Sequence, residues 1–196
     1  MSKRTVCVFC GSRDGVNPNY REMATALGAE IARRGWGLVF GGGRVGLMGA
    51  VADAALAGGA PVTGVIPEAL WQREVGHLDL TELLVVGSMH ERKQAMADRA
   101  DGFIALPGGF GTFEEFFEVL TWAQLGFHRK PCVLLDVAGY WRPLEMMADL
   151  ATAEGFVPAG NRDLMHLAAS SRDALDLVER LQPLSVESAL LPPEER

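Results

Sequence analysis

Residues 102–119, GFIALPGGFGTFEEFFEV, contain the turn on which the reading of the whole chain depends. Gly102 to Leu106 is a short apolar run, and from Thr112 onward the apolar residues take the spacing of a helix. Pro107, Gly108, Gly109 and Gly111 stand between the two. A strand that passes through glycine directly into a helix is the repeating unit of a parallel sheet.

Working outward, the same handover recurs. Apolar, β-rich runs begin at Thr5 (TVCVFCG), Gly37 (GLVFGGG), Pro61 (PVTGVIP), Glu82 (ELLVVGS) and Pro131 (PCVLLDV). Most are apolar almost throughout, as strands are when helices cover both faces of the sheet. Between them lie helix-like segments: YREMATALGAEIARRG from Tyr20, GLMGAVADAALAGG from Gly46 and MHERKQAMADRA from Met89, several of them stopped by glycine. The alternation predicts an α/β fold with a doubly wound parallel sheet flanked by helices, in one domain spanning 1–196. Residues 67–81 read as a loop with one helical turn, long enough to be functional. After Val137, YWRPLEMMADLATAEG and SSRDALDLVERL read as two helices, the second capped by Ser170 or Ser171, and 182–196 as a loose tail.

With 196 residues the chain can form a core without disulfides or metals. Its net charge of −7 argues against binding nucleic-acid polymers, though not against a single nucleotide in a local pocket. No apolar run approaches membrane-spanning length, and strand pattern begins within a few residues of Met1, so no membrane association and a cytoplasmic location are expected. Cys7, Cys10 and Cys132 are too few and too irregularly spaced for a disulfide framework; three residues apart on a strand, Cys7 and Cys10 face opposite ways. His77, His90, His128 and His166 show no metal-ligand spacing, so no metal and no cofactor are expected.

The polar and glycine-rich residues gather at the carboxyl ends of the strands, where open α/β sheets place their ligands. Gly41, Gly43 and Gly46 have the G-x-G-x-x-G spacing of a dinucleotide loop, but the following strand lacks a well-placed acid for a ribose. Close packing of a helix on the sheet is the competing reading. PGGFGT, from Pro107, is the stronger phosphate candidate, since glycine lets successive amides point into one concavity and a helix starting at Thr112 adds its dipole. No Lys-Ser or Lys-Thr pair follows, so it is not a Walker loop. Thr112 and Glu115 also form T-x-x-E, the sequence of a capping box, in which Glu115 would only cap its own helix. Glu114 and Glu115 beside a phosphate cradle weaken anion affinity unless one serves the chemistry, while Arg92 and Lys93 on the neighbouring strand end would balance them. Trp122, Trp141, Phe116 and Phe117 read as core and interface; the helix FFEVLTWAQLGF carries more apolar surface than one sheet face needs.

SMHERKQAM followed by DGFIALPGGFGTFEEFFEVLTWAQLGFHRKP resembles the LONELY GUY (LOG) family of cytokinin-activating phosphoribohydrolases, whose hallmark PGGxGTxxE is complete from Pro107 to Glu115. CVFCGS, GGGRVGLMG, GVIPEAL and DVAGYW match the family in order and spacing, so the resemblance covers roughly residues 5 to 160. It implies a Rossmann-like homodimer that hydrolyses the N-glycosidic bond of a nucleoside 5'-monophosphate, either a cytokinin riboside monophosphate or AMP, to free base and ribose 5-phosphate. It assigns catalysis to Arg92 and Glu115, phosphate binding to the loop from Gly108 through Gly109, Phe110, Gly111 and Thr112 with Phe113 and Glu114 adjoining, and substrate contacts to Glu74, Lys93 and Thr121. An arginine beside Glu115 is expected to orient it and keep it ionised. Proteins of this kind are often labelled lysine decarboxylases, yet no pyridoxal phosphate site is evident. The rival reading is a non-catalytic nucleotide or molybdenum-cofactor carrier of the same fold, which would have no evident need of Arg92 with Glu115.

Overall fold

The computed structural model describes residues 4–71 and 76–181. Seven strands form one sheet: β1 (Thr5–Phe9), β2 (Gly37–Phe40), β3 (Val62–Pro67), β4 (Glu82–Val86), β5 (Gly102–Ala105), β6 (Cys132–Leu135) and β7 (Met165–Ala168). Their order is β4-β3-β2-β1-β5-β6-β7, and every neighbouring pair is parallel. The chain winds outward from β1 to one edge, then returns to β5 on the other side of β1. The crevice between β1 and β5 is therefore the topological switch point, where loops leave in opposite directions and ligands enter.

Among the described residues eight helices accompany the strands: α1 (Asn19–Arg33), α2 (Gly46–Ala57), α3 (Glu68–Trp71), α4 (Met89–Arg99), α5 (Phe110–Gln124), α6 (Arg142–Ala153), α7 (Ala159–Arg162) and, after the last strand, α8 (Ser171–Leu181). Residues alternate between two cores, as the period of a strand requires. Val6, Val8, Leu38, Phe40, Ile104 and Val133 pack against α1, α2 and α8. Cys7, Phe9, Val39, Phe103, Ala105 and Leu134 pack against α4 and α5, with Trp141 at the start of α6. Cys7 and Cys10 fall in opposite cores, and all three cysteines are free and buried. Burial on two faces explains why the inner strands are apolar without a break.

The predicted elements within the described residues are present, with two additions, the short helix α7 and the strand β7. β7, the four residues MHLA, completes the sheet beyond β6. Its brevity and its histidine hide it from pattern reading. The single helical turn expected within 67–81 is α3; the tail at 182–196 lies outside the described residues. Among the described residues no helix is long and apolar enough to cross a membrane.

Candidate active site

The sheet edge brings the loops after β1 and β5 together. Gly11 N–H donates to the Pro107 carbonyl at 3.1 Å, and Leu106 N–H to Phe9 O at 2.9 Å. A cavity of about 470 Å³ opens there, lined by Ser12, Arg13, Tyr20, Gly108, Gly109 and Tyr140, among others. The Tyr140 hydroxyl donates to the Gly108 carbonyl and so fixes the glycine loop from the β6–α6 connection.

The glycines of this loop differ in purpose. A Cβ on Gly108 would lie 2.1 Å from Thr112 Oγ1 and 2.9 Å from Gly11 N, so the fold itself requires glycine there. On Gly109 or Gly111 it would meet nothing within 4 Å. These two positions are free of side chains where the fold does not need them to be, at the end of a helix whose first amides have no side-chain cap. Such a surface is suited to close approach of an anion to the backbone.

The helix also begins earlier than T-x-x-E suggests. Gly109 is its N-cap in an extended conformation, and Phe113 N–H donates to Gly109 O at 3.1 Å. Thr112 is therefore buried in the first turn and Glu115 stands beyond it, so neither forms the predicted capping box. A side-chain cap is found at α4 instead: the N-cap Ser88 Oγ accepts from Glu91 N–H at 3.1 Å, while the Glu91 carboxylate reaches one residue further back and accepts from Gly87 N–H at 2.9 Å.

Freed from capping, Glu115 faces Arg92. Arg92 Nη1 lies 3.6 Å from Glu115 Oε1, and each side chain keeps only about a tenth of its surface in solvent. Burial pushes the Glu115 carboxyl up to about 7; Arg92 pulls it down, and Glu114, Lys93 and Glu118 act more weakly. The expectation that Arg92 lowers the Glu115 pKa holds in direction, but it does not by itself keep the carboxyl ionised. At 3.6 Å, without a direct hydrogen bond, its attraction is outweighed by desolvation.

Lys93 crosses from α4 to α5, where its ammonium donates to Glu114 and, at 2.9 Å, to Glu118. Burial works to lower its pKa, but the two carboxylates prevail and raise it. Its charge is already balanced by protein. Phe110 is 90% exposed beside the loop and meets Phe113 edge to face. Thr121 is separated from the loop by more than two turns of α5, and lines an apolar cavity of about 210 Å³ with Phe117, Leu120, Leu144 and Met147. The structure does not bring Thr121 together with Arg92 and Glu115. Glu74 lies outside the described residues. Among the described residues no cluster of histidine, cysteine and carboxylate groups could hold a metal ion.

The G-x-G-x-x-G glycines serve packing. Arg92 occupies the space beside Gly41, and Gly43 pairs with Gly76 in an isolated antiparallel bridge. His77 secures that bridge: its N–H donates to Gly42 O at 3.1 Å, and its buried ring meets Asp53 at 2.8 Å. Sequence reading gives no role to Tyr140, to the cavity-lining Arg13, or to the carbonyls that seat Arg92. A phenolic hydroxyl or a carbonyl reaching across the fold leaves no local pattern.

The family model described as "Possible lysine decarboxylase" matches residues 48–178. The chain is 51% identical to a "Probable cytokinin riboside 5'-monophosphate phosphoribohydrolase" of Oryza sativa subsp. japonica, over 91% of this chain and 78% of the relative. It is 47% identical to a protein of Arabidopsis thaliana named for the same activity, over 92% and 83%. A third protein so named, from Rhodococcoides fascians, is 52% identical over 81% of each chain. Among solved structures, the molybdenum cofactor binding protein of Rippkaea orientalis shares the fold, with a TM-score of 0.71 and 23% identity over 92% of this chain and 98% of that one.

Proposed function

Because the chain belongs to the LOG family of cytokinin riboside 5'-monophosphate phosphoribohydrolases, we propose that it hydrolyses the N-glycosidic bond of a nucleoside 5'-monophosphate, a cytokinin riboside monophosphate or AMP. Water adds at C1', and free base and ribose 5-phosphate leave. The observation that carries this reading is the buried Glu115 carboxyl facing Arg92 at 3.6 Å, on the same helix whose uncovered amino terminus closes the glycine loop. Phe110 and Glu115 are five residues apart, so about 7.5 Å of helix axis separates the loop from the carboxyl. A ribose 5-phosphate can bridge that separation.

In this reading the amides of Gly109 to Thr112 bind the phosphate and hold the sugar over Glu115, so remote binding energy positions the reacting carbon. Departure of the base builds positive charge at C1'. Ionised Glu115 stabilises that charge or takes a proton from the attacking water, and a pKa near 7 suits a general base at neutral pH. Arg92 favours the ionised form of Glu115. The carrier alternative is not favoured, since the named relatives at 47–52% identity are hydrolases and the carrier-type neighbour shares the fold at 23%.

The residues do not fit pyridoxal phosphate chemistry. A Schiff-base lysine at the site needs a readily lost proton, whereas Lys93 is held charged by two glutamates; Lys130, whose pKa burial lowers, donates to Ala97 O ahead of β6, at the opposite edge of the sheet. A homodimer is part of the proposal: Phe117, Leu125 and Phe127 at α5, and Met146, Met147 and Leu150 on α6, are exposed apolar side chains of the kind that a second copy covers. The test is to incubate the protein with AMP and with isopentenyladenosine monophosphate, and measure free base by chromatography. Release by wild type and none by folded Glu115→Gln is expected. No release from either substrate would sink the reading.

A further inference from the structure

Gly41 has no room for a side chain, and the group filling that room is the Arg92 guanidinium. A Cβ on Gly41 would lie 2.1 Å from Arg92 Nη2 and 3.3 Å from its Cζ, with Met48 Sδ at 3.5 Å. The backbone of Gly41 is not among those with positive φ, so space rather than conformation calls for glycine. The guanidinium is seated on backbone carbonyls of β3 and of the residue that follows β2. Nη2 donates to Gly41 O at 3.2 Å, and Nε to Val65 O at 3.1 Å. Two bonds to fixed carbonyls set the plane of a rigid cation. Nη1, with Met89 Sδ at 3.9 Å, is the nitrogen that this seat turns toward Glu115.

We propose that Gly41 is a positioning residue: its missing side chain forms the mould that holds Arg92 in the plane needed to face Glu115. The turn that carries a dinucleotide-like glycine spacing serves here to place a cation of the protein's own. The kinetic part of this inference rests on the hydrolase reading; the structural part does not.

The test is a double-variant cycle of Gly41→Ala with Arg92→Lys. Lysine ends in one nitrogen and lacks the Nη2 that the new methyl would strike. Gly41→Ala alone is expected to lower kcat at least roughly tenfold, with KM changed by less than about twofold, because a displaced catalytic group acts on the transition state. It is also expected to lower the melting temperature by several degrees, whereas in the Arg92→Lys background the same change moves it by less than about 2 °C. An equal drop in both backgrounds would show that something other than the guanidinium opposes the methyl, and would overturn the mould. Unchanged kcat in Gly41→Ala would overturn the positioning role. Should Gly41→Ala alone fail to fold, folding of the double variant supports the mould and its failure overturns it. If the wild type releases no base at all, the hydrolase reading fails, while the melting cycle still decides the mould.

Discussion

Replacing Glu115 by glutamine is expected to change the stability of the protein in a manner that depends on pH and has a definite sign. The folded carboxyl titrates at about 7 against an ordinary value of 4.5. At about 1.4 kcal/mol per pK step, that difference is worth roughly 3 kcal/mol. The folded state holds this proton more tightly than the unfolded chain does. Below about pH 4.5 both states are protonated and burial of Glu115 costs no charge; from there to about pH 7 the unfolded chain ionises first, and stability is progressively lost. Glutamine removes the titration. The stability of Glu115→Gln minus that of wild type should therefore grow by up to about 3 kcal/mol between pH 4.5 and pH 8. Urea unfolding followed by tryptophan fluorescence at several pH values, with both proteins measured side by side, reads this difference and cancels every other titrating group. A gap that stays flat or narrows as pH rises would mean that Arg92 outweighs burial, and would refute the argument for a poised general base.

The same group sets the remaining expectations. Activity should rise with pH through an acid limb near 7, and in Arg92→Gln the residual activity should show that limb at higher pH, because the cation that pulls the carboxyl down is gone; a pH–rate profile of each variant checks this. Gly111→Ala should raise fold stability by about 1 kcal/mol, since alanine is the better helix former and its methyl meets nothing in the protein, yet should raise KM by intruding where phosphate approaches the backbone. Unfolding curves and steady-state kinetics on the one variant report both effects. Gly108→Ala should instead destabilise by roughly 1–3 kcal/mol, because its methyl is driven into Thr112 and Gly11, with a lowered melting temperature as the readout.

Much of the architecture can be read from the chain because it rests on local patterns. Six apolar runs, each leading through glycine or proline toward a helix, identify a parallel sheet, and the clustering of polar residues after those runs marks its ligand edge. The seventh strand escapes notice since MHLA is short and interrupted by a histidine, and becomes a strand only by pairing with β6. The role of a site residue is harder to read than its place on the sheet edge. Glu115 reads as a cap when only spacing is considered, but Gly109 starts the helix early and leaves the carboxyl to Arg92. The pKa of Glu115 follows from burial, which is a property of the folded environment and absent from any motif. Lys93 reads as a cation that balances Glu114 and Glu115, and the fold, setting α5 beside α4, pairs it with Glu114 and Glu118 instead. The three glycines after β2 look like a cofactor loop because spacing records where side chains are missing and not what takes their place.

The burial of Cys7, Cys10 and Cys132 in the two cores has a practical consequence. Desolvation raises all three thiols above their ordinary pKa, so almost none is thiolate at neutral pH and none stands at the surface. To a maleimide reagent the folded protein is blank. One cysteine introduced at an exposed position such as Phe127 would take a fluorophore alone, without removal of the native three, and would report optically whether copies associate through the apolar α5–α6 face.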